Sequence, residues 1–398
     1  MNRVRFAIVG LGVVGWRHVK TFAAARRGDF RLTAAVEANA EVAERARRKL
    51  DVPVFRDMDE LVGAGLADAV LIAVPHCWHP YLAIRAARAG LHVLSEKPLA
   101  VTVGAARAMV AECRKHKVAF GAMLQDRTLP VYAKMKQMID GARLGRIYRI
   151  SQVCTRWYRT QAYYDSGAWR GTWDGEGGGI LINQACHALD VFQWLAGMPD
   201  RVLCALQTRI HKIEVENTAE AVFHYADGCL GHFYVSTAQE PALDRIEIFG
   251  DKGTLVAEKG RLRFGKLASP IARHIRTCKI AEADIARINA RWSDVELPAR
   301  PGGRHLDVVQ AFARHVLRGE PMVASGEQAI HELELSNAMY VSGFKNKPVD
   351  LPVDADEVER LLAKLERERS TGKGRQMRRK ADAALRKLLR GRRRSPTR

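Results

Sequence analysis

Hydrophobic and polar positions divide the first 124 residues into short apolar runs and longer segments with helical periodicity. The apolar runs predict strands at residues 4–9, 31–36, 69–74, 92–94 and 118–123. The segments between them predict helices after Gly12 and at residues 40–49, 81–89 and 105–116. Strands that alternate with helices in this way are typical of a parallel sheet covered on both faces. We therefore predict a doubly wound α/β domain over residues 1–124.

The pattern changes after residue 125, where strands follow one another with only short turns between them. They are predicted at residues 146–153, 201–207, 219–225, 230–237, 245–249 and 254–257. Such spacing indicates a large, mostly antiparallel sheet. Helices are predicted at residues 306–317 and 326–344, and a charged helix at 356–369. We predict a second α/β domain over residues 125–355, followed by a charged helix and basic tail over 356–398.

Composition excludes several classes of protein. The 398 residues are 47% apolar, which suits two soluble domains. No apolar run approaches the roughly 18–20 residues of a membrane span, and none suits a signal peptide, so we expect a cytoplasmic protein. Seven scattered cysteines without a Cys-x-x-Cys pair argue against a disulfide framework or a zinc site. We expect no metal.

Positive charge is concentrated at the C-terminus. The net charge is +20, and residues 373–398 hold twelve Lys and Arg against one acid, Asp382, so that +11 lies there and +9 on the rest. A solvated, partly disordered arm is the expected structure. The alternative is weak, salt-dependent contact with nucleic acid or anionic surfaces. The segment lacks aromatic residues on which bases could stack.

A glycine motif, GLGVVG at residues 10–15, lies between the first predicted strand and helix. In this setting glycines permit a tight turn and a close approach of the backbone to a pyrophosphate at the helix N-terminus. Glu37 ends the second strand and could accept hydrogen bonds from the adenosine ribose. No Lys or Arg follows it directly, which favours NAD over NADP; a glycine turn without a ligand is the alternative. The predicted cofactor-binding residues are Gly10, Gly12, Val13, Val14, Gly15 and Glu37.

A second motif, SEKP at residues 95–98, follows the short apolar run that ends at Leu94. Ligands bind beyond the carboxyl ends of parallel strands, so Lys97 should lie near the reactive end of the cofactor. Pro98 restricts the backbone of Lys97, and burial would lower the pKa of its amine toward neutrality, as acid–base catalysis requires. A lysine beside a nicotinamide indicates hydride transfer. The alternative is an exposed ion pair with Glu96.

A third motif, EGGGILINQACHALD at residues 176–190, combines glycines with polar residues. We predict that the glycines open a helix on which Asn183, His187 and Asp190 share one face. Asp190 beside His187 would fix the imidazole tautomer and favour its charged form. The alternative is a buried structural histidine satisfied by Asp190.

The segment 157–173 is rich in aromatic residues, arginines and hydroxyls. It could form the wall of a polar-ligand pocket, since carbohydrate sites combine flat apolar faces with hydrogen-bonding edges. A core loop anchored by its tryptophans is an equal alternative. The predicted substrate-binding residues are Tyr163, Tyr164, Arg170, Trp173 and Asn183.

Together these motifs resemble, in order and spacing, the glucose-fructose oxidoreductase, inositol dehydrogenase and rhizopine catabolism (Gfo/Idh/MocA) family over residues 5–353. Further support comes from LIAVP at 71–75 and AGLHVLSEKP at 89–98. The resemblance implies an N-terminal Rossmann domain and a C-terminal domain whose sheet makes dimer or tetramer contacts. It also implies a catalytic lysine at Lys97 and the family's histidine at His187. It adds to the cofactor-binding set Pro75, His79, Glu96 and Lys97.

Asn183 stands where inositol dehydrogenase-like members often have an aspartate, and an amide cannot accept a proton. Proton transfer would therefore fall to Lys97 or His187, with Asp190 orienting His187 and Asn183 positioning the substrate. We predict an NAD-dependent oxidoreductase that transfers a hydride between a secondary ring hydroxyl of a sugar, glycoside or cyclitol and the nicotinamide. Two alternatives stay open: an NAD-dependent glycosidase acting by transient oxidation and elimination, and a non-catalytic dinucleotide-sensing regulator.

Overall fold

The structure is a computed structural model that describes residues 3–25, 28–283, 285–299, 301–372 and 375–390. Its first sheet has six parallel strands in the order β3-β2-β1-β4-β5-β6. The strands are β1 (Val4–Val9), β2 (Phe30–Val36), β3 (Val54–Phe55), β4 (Ala69–Ile72), β5 (His92–Ser95) and β6 (Phe120–Ala122). In sheets of this order ligands bind at the point where the order of the strands reverses, between β1 and β4. The predicted doubly wound sheet is confirmed.

Helices cover both faces of this sheet, as the fully buried strand β4 requires. They are α1 (Val13–Ala24), α2 (Ala40–Arg47), α3 (Met58–Ala64), α4 (His79–Arg88) and α5 (Val103–Lys115), with a 3-10 turn at His76–Trp78. Side chains of Asn39, Asp57 and Thr102 accept hydrogen bonds from the first turns of α2, α3 and α5, which fixes where these helices begin.

The second sheet has nine strands in the order β14-β13-β12-β11-β7-β10-β9-β8-β15. They are β7 (Ile147–Cys154), β8 (Arg201–Gln207), β9 (Thr218–His224), β10 (Leu230–Ser236), β11 (Asp244–Gly250), β12 (Gly253–Glu258), β13 (Arg261–Leu267), β14 (Ala290–Asp294) and β15 (Val349–Asp350). Only β7 and β10 pair in parallel among these neighbours. The predicted mostly antiparallel sheet is confirmed.

The helices of the second half are α6 (Pro130–Asp140), α7 (Gln161–Asp165), α8 (Cys186–Ala196), α9 (Ile271–Thr277), α10 (His305–Arg318), α11 (Gly326–Lys345) and α12 (Ala355–Arg369), and a 3-10 turn lies at Gln125–Thr128. Three of them, α6, α8 and α11, pack on the second sheet. On α8, Phe192 packs against Phe223 and Phe233 of the sheet. Helix α10 instead packs on the first sheet, where Phe312 lies 6.0 Å from Phe6 between ring centroids. The predicted domain boundaries did not include a helix of the second half that packs on the first sheet.

The expectation of a solvated C-terminal arm is wrong for the described part of that segment. Arg375–Arg390 form a helix, α13, whose Ala381 is fully buried and whose Leu388 carbonyl accepts a hydrogen bond from Arg88 Nη1 at 2.8 Å. The reason is an apolar stripe with helical spacing, Met377, Ala381 and Leu385, which the surrounding charges concealed. Residues 373, 374 and 391–398 lie outside the described residues. No described helix is long and apolar enough to cross a membrane.

Candidate active site

The turn between β1 and α1 depends on glycine. Gly10 has φ +94°, and a Cβ there would lie 2.6 Å from the Ala73 carbonyl oxygen. A Cβ on Gly15 would lie 1.9 Å from the Gly10 carbonyl oxygen, whereas at Gly12 it would meet nothing within 4 Å. Among the described residues, α1 has no side-chain cap and no acidic group in its first turn. Its first N–H groups are therefore available to an anion, which fits a pyrophosphate.

Glu37 lies beside this turn, one residue beyond β2. Its carboxylate accepts hydrogen bonds from the backbone N–H of Leu11 at 2.7 Å and of Asn39 at 2.9 Å. Val13 and Val14 begin α1 next to it, and Val13 is 82% exposed. A half-buried carboxylate fixed at this edge fits the predicted contact with the adenosine ribose.

His79 does not present a free ring nitrogen to a cofactor. Its Nδ1 lies 2.8 Å from the Pro98 carbonyl oxygen and its Nε2 lies 2.8 Å from that of Val74. The ring is buried and ties the residues after β4 to those after β5. The predicted cofactor contact of His79 is therefore corrected to a positioning role. Pro75, at the start of the same turn, is exposed.

Glu96 is buried rather than exposed beside Lys97. Its Oε1 lies 2.6 Å from Nε2 of His18 on α1 and 3.9 Å from Nε2 of His305. Burial alone would raise the pKa of Glu96, but the hydrogen bond to His18 and the positive charge of His18, His305 and Lys97 together outweigh it and hold that pKa at about 2. The carboxylate therefore anchors α1 to the end of β5. The alternative of an exposed Glu96–Lys97 pair is wrong.

Lys97 reaches from the first sheet to the second half of the chain. Its Nζ donates to the Asn183 backbone carbonyl at 2.7 Å and lies 3.5 Å from Asn183 Oδ1. Burial lowers the pKa of Lys97, but the acidic groups around it, Cys186, Glu96, Glu332 and Tyr163, together raise it by more, so the net shift is upward. The expected pKa near neutrality is wrong. Lys97 is an ammonium group and a hydrogen-bond donor.

The glycine run does not open the helix that carries His187. Gly177 and Gly178 have φ +86° and +153°, and a Cβ on Gly179 would lie 1.8 Å from the Glu216 carbonyl oxygen. The chain after them forms turns, and α8 begins only at Cys186. Asn183 therefore lies outside the helix, and the predicted shared face with His187 and Asp190 is wrong.

Asp190 contacts an arginine instead of His187. Its two carboxylate oxygens accept from Arg127 Nε at 2.8 Å and Nη2 at 2.6 Å, and Gln193 Nε2 donates to it at 3.0 Å. Both Asp190 and Arg127 are buried. The predicted contact that would orient His187 is thus replaced by a salt bridge between α8 and the turn Gln125–Thr128.

Among the described residues, His187 has no acidic hydrogen-bond partner. Its Nε2 lies 3.4 Å from Gln125 Nε2, and its buried Nδ1 has no hydrogen-bond partner among the described residues. Burial lowers the pKa of His187 to about 4, against the smaller upward effect of Asp126. At neutral pH the ring is uncharged, and one nitrogen can accept a proton.

The aromatic segment divides between the site and the core. The Tyr163 hydroxyl accepts from Arg170 Nη1 at 2.5 Å and lies 3.5 Å from Asn183 Nδ2, so these three come together beside Lys97. Tyr164 is buried, with its hydroxyl on Thr237, and is not exposed to the site. Trp173 is 1% exposed and packs on the rings of Tyr340 and Phe344. The predicted substrate contacts of Tyr164 and Trp173 are corrected to core packing.

Sequence reasoning assigned no role to Glu176, which lies at the centre of this arrangement. It accepts from Asn183 Nδ2 and, at 2.8 Å, from the backbone N–H of Gly171. Burial raises its pKa to about 7. Gln125 and Arg127 were also missed. Only their positions in the sequence could have indicated a role. Glu176 precedes the glycine run, and Gln125 follows the short strand β6 at the carboxyl edge of the sheet.

Three features together are typical of a dinucleotide-dependent oxidoreductase. They are the parallel sheet with this strand order, the glycine turn before an uncapped helix, and the lysine that contacts the second half at the carboxyl edge of the sheet. A model described as "Oxidoreductase family, NAD-binding Rossmann fold" matches residues 4–123, and the GFO/IDH/MocA C-terminal domain matches residues 132–256. The two matches cover more than half of the chain. The protein belongs to the GFO/IDH/MocA family of NAD-binding oxidoreductases.

Relatives match almost the full length of the fold. The chain is 24% identical to myo-inositol 2-dehydrogenase of Thermotoga maritima over 355 residues, covering 87% of this chain and 98% of that one. It is 28% identical to the WlbA dehydrogenase of Bordetella pertussis, solved with NADH and UDP-GlcNAcA, with a TM-score of 0.74 over 89% of this chain and 99% of that one. A levoglucosan dehydrogenase in complex with NADH shares the fold, with 22% identity and a TM-score of 0.74 over 88% of this chain and all of that one.

Proposed function

We propose that this protein is an NAD-dependent dehydrogenase acting on a secondary ring hydroxyl of a sugar, glycoside or cyclitol. The observation that carries the proposal is the hydrogen bond of Lys97 Nζ to Asn183, which sets an ammonium group between the two halves beside the neutral His187. The T. maritima relative, whose name gives myo-inositol as its substrate, and WlbA, solved with a nucleotide sugar, support this substrate class.

The two candidate proton-handling residues have different roles in this proposal. The Lys97 ammonium donates a hydrogen bond to the hydroxyl oxygen and stabilises the negative charge that develops on it. The neutral imidazole of His187 accepts the hydroxyl proton. Asn183 and Tyr163, which lie beside Lys97, position the ring hydroxyls. Bound NAD supplies the hydride acceptor, and its pyrophosphate would lie on the turn from Gly10 to Gly15.

NADH formation across a defined panel tests the proposal. The panel contains myo-inositol, aldoses, methyl glycosides and nucleotide sugars, each with NAD and with NADP. We expect NADH to accumulate with at least one ring alcohol, and the rate to collapse in Lys97→Met. Release of an aglycone without net NADH would indicate the glycosidase instead. The absence of turnover, together with a salt-sensitive DNA shift that removal of residues 373–398 abolishes, would indicate the regulator.

We also propose that the protein is a cytoplasmic homo-oligomer. All seven cysteines are free thiols, which suits a reducing compartment. Leu203, Val222 and Leu230 of neighbouring strands β8, β9 and β10 are 42%, 38% and 49% exposed, and they place three apolar side chains on the outer face of the second sheet, where a second copy could cover them. Sedimentation of the purified protein measures the number of subunits.

A further inference from the structure

Two arginines beside the candidate site have no carboxylate partner. The guanidinium groups of Arg159 and Arg170 lie 4.8 and 4.4 Å from the centroid of the Tyr163 ring. Arg170 donates to the Tyr163 hydroxyl, and Arg159 Nη1 donates to the Tyr158 carbonyl oxygen at 2.9 Å. Neither forms an ion pair with a described residue. The Nε of Arg159 is buried without a hydrogen-bond partner among those residues.

The nearest acidic group does not neutralise this pair. Glu176 is close enough for Arg170 to lower its pKa, yet burial dominates and leaves that pKa at about 7. Its oxygens are already used by Gly171 and Asn183. Lys97 lies in the same place, hydrogen-bonded to the neutral Asn183, and the nearby Glu96 carboxylate offsets its charge. The two guanidinium groups therefore leave this wall of the site with an excess of positive charge.

The two guanidinium groups are also held in fixed orientations. Arg170 lies over the rings of Trp169 and Tyr163 at 4.5 and 4.4 Å from their centroids. Arg159 lies over the Tyr163 ring, and its Nη1 is held by the Tyr158 carbonyl oxygen. A planar guanidinium held by stacking still offers its other N–H groups to a carboxylate or phosphate, and such charge-assisted contacts are the strong ones. Half-buried, unpaired charge is costly without such a partner.

We propose that the substrate carries an oxyanion, a carboxylate or a phosphate, that binds Arg170 and Arg159 while its reacting hydroxyl meets Lys97. The proposal rests on the dehydrogenase function proposed above, and it narrows the substrate from any ring alcohol to an anionic one. Tyr163 links the two parts of the site, since its hydroxyl contacts Arg170 and lies within 3.5 Å of the Asn183 amide.

Equilibrium binding to the NADH complex tests the proposal without turnover. Calorimetry compares matched ligands: methyl β-D-glucuronide with methyl β-D-glucoside for the carboxylate, and glucose 6-phosphate with glucose for the phosphate. We expect the wild-type complex to prefer the anionic member of at least one pair by about tenfold or more. The pair that shows the preference identifies the source of the oxyanion, and added salt should weaken only the anionic ligand.

Substitutions of the two arginines test whether they cause the preference for the anionic ligand. Arg170→Gln should weaken the anionic ligand about 10- to 100-fold and leave its neutral partner within about threefold. Arg159→Gln should act in the same direction, and Arg170→Lys should retain part of the preference because it keeps the charge but not the planar geometry. Arg263→Gln is the matched control, since Arg263 lies 5.1 Å from the centroid of Trp292 on the distant strands β13 and β14.

Failure of this inference can be told apart from failure of the proposed function. No anionic preference in either pair, or equal losses of the anionic and neutral ligands in both Arg170 variants, would overturn the inference even if the enzyme oxidises a neutral cyclitol. An Arg170-dependent preference without oxidation of any ligand in the panel would support the inference and contradict the dehydrogenase. Retained NADH affinity shows that each variant is folded.

Discussion

Removal of Arg127 tests how the second half of the site is held. Its guanidinium donates to both oxygens of Asp190 at 2.8 and 2.6 Å, and the two residues are 4% and 1% exposed. This bidentate pair connects the turn after β6 to α8, the helix that carries His187. Arg127→Met keeps most of the apolar stem and deletes the charge, leaving Asp190 buried with Gln193 as its remaining side-chain donor.

Breaking a buried ion pair by removing one partner costs about 3–5 kcal/mol of stability, because the remaining charge is uncompensated. Burial already raises the pKa of Asp190 against the effect of Arg127, and the variant should raise it further. A carboxyl group whose folded-state pKa is raised contributes stability at low pH and loses it as pH rises through that pKa. The full loss is therefore expected at about pH 8, and a smaller one at about pH 5.

Urea unfolding followed by tryptophan fluorescence measures these losses as shifts of the transition midpoint. Arg127→Met/Asp190→Leu should recover much of the stability, since it removes the unpaired charge. Arg56→Met is the control, because the Arg56–Glu60 ion pair is exposed and its loss should leave the midpoint unchanged. Arg127→Met with a wild-type midpoint at both pH values, or a double variant no more stable than the single one, would refute the reasoning.

Four further predictions follow from the site and the C-terminal helix. Lys97→Met should reduce turnover about 10²- to 10³-fold while the NADH Kd, measured by fluorescence titration, changes only a few-fold. Because the pKa of His187 is about 4 and its neutral form accepts the proton, kcat/KM should stay level from neutral pH down to about pH 5 and fall toward about pH 4, and His187→Gln should abolish this limb. Glu37→Ala should weaken NAD about tenfold and bring NADP binding to a similar Kd, measured by titration of each cofactor. Removal of residues 373–398 should expose Cys77, which is 6% exposed and lies in a groove with Arg378 of α13, so that a thiol reagent modifies it as well as Cys278, with Cys77→Ser in the truncated chain as control.

The strands that the sequence predicted are those with a continuous apolar run. Residues 69–72 of β4 and 202–206 of β8 are all apolar, so both strands were visible, although β8 is buried only at alternate positions. Strand β3 has two residues and β14 is exposed throughout, and neither leaves a hydrophobic signal. Helix α13 has apolar residues at helical spacing, but the many arginines and lysines between them made this spacing hard to recognise.

In the site as well, features set by local sequence were predicted, and contacts between distant residues were not. The position of Lys97 directly after a strand predicted that it lies at the carboxyl edge of the parallel sheet, and the structure has it there, next to Asn183 of the second half. The spacing of His187 and Asp190 predicted a contact between them, but the partner of Asp190 lies 63 positions away in Arg127. A contact between residues so far apart in the sequence cannot be predicted from the spacing of residues within one helix.

Burial decides the protonation state of His187. A carboxylate in contact with an imidazole raises its pKa, which is what the sequence alone indicated for Asp190. Both Asp190 oxygens instead accept hydrogen bonds from Arg127, and burial lowers the pKa of His187 to about 4. Lys97 shows the reverse balance, since the acidic groups around it together outweigh its burial. These opposite balances support the proposed division of roles, in which the lysine donates a hydrogen bond and the histidine accepts the proton.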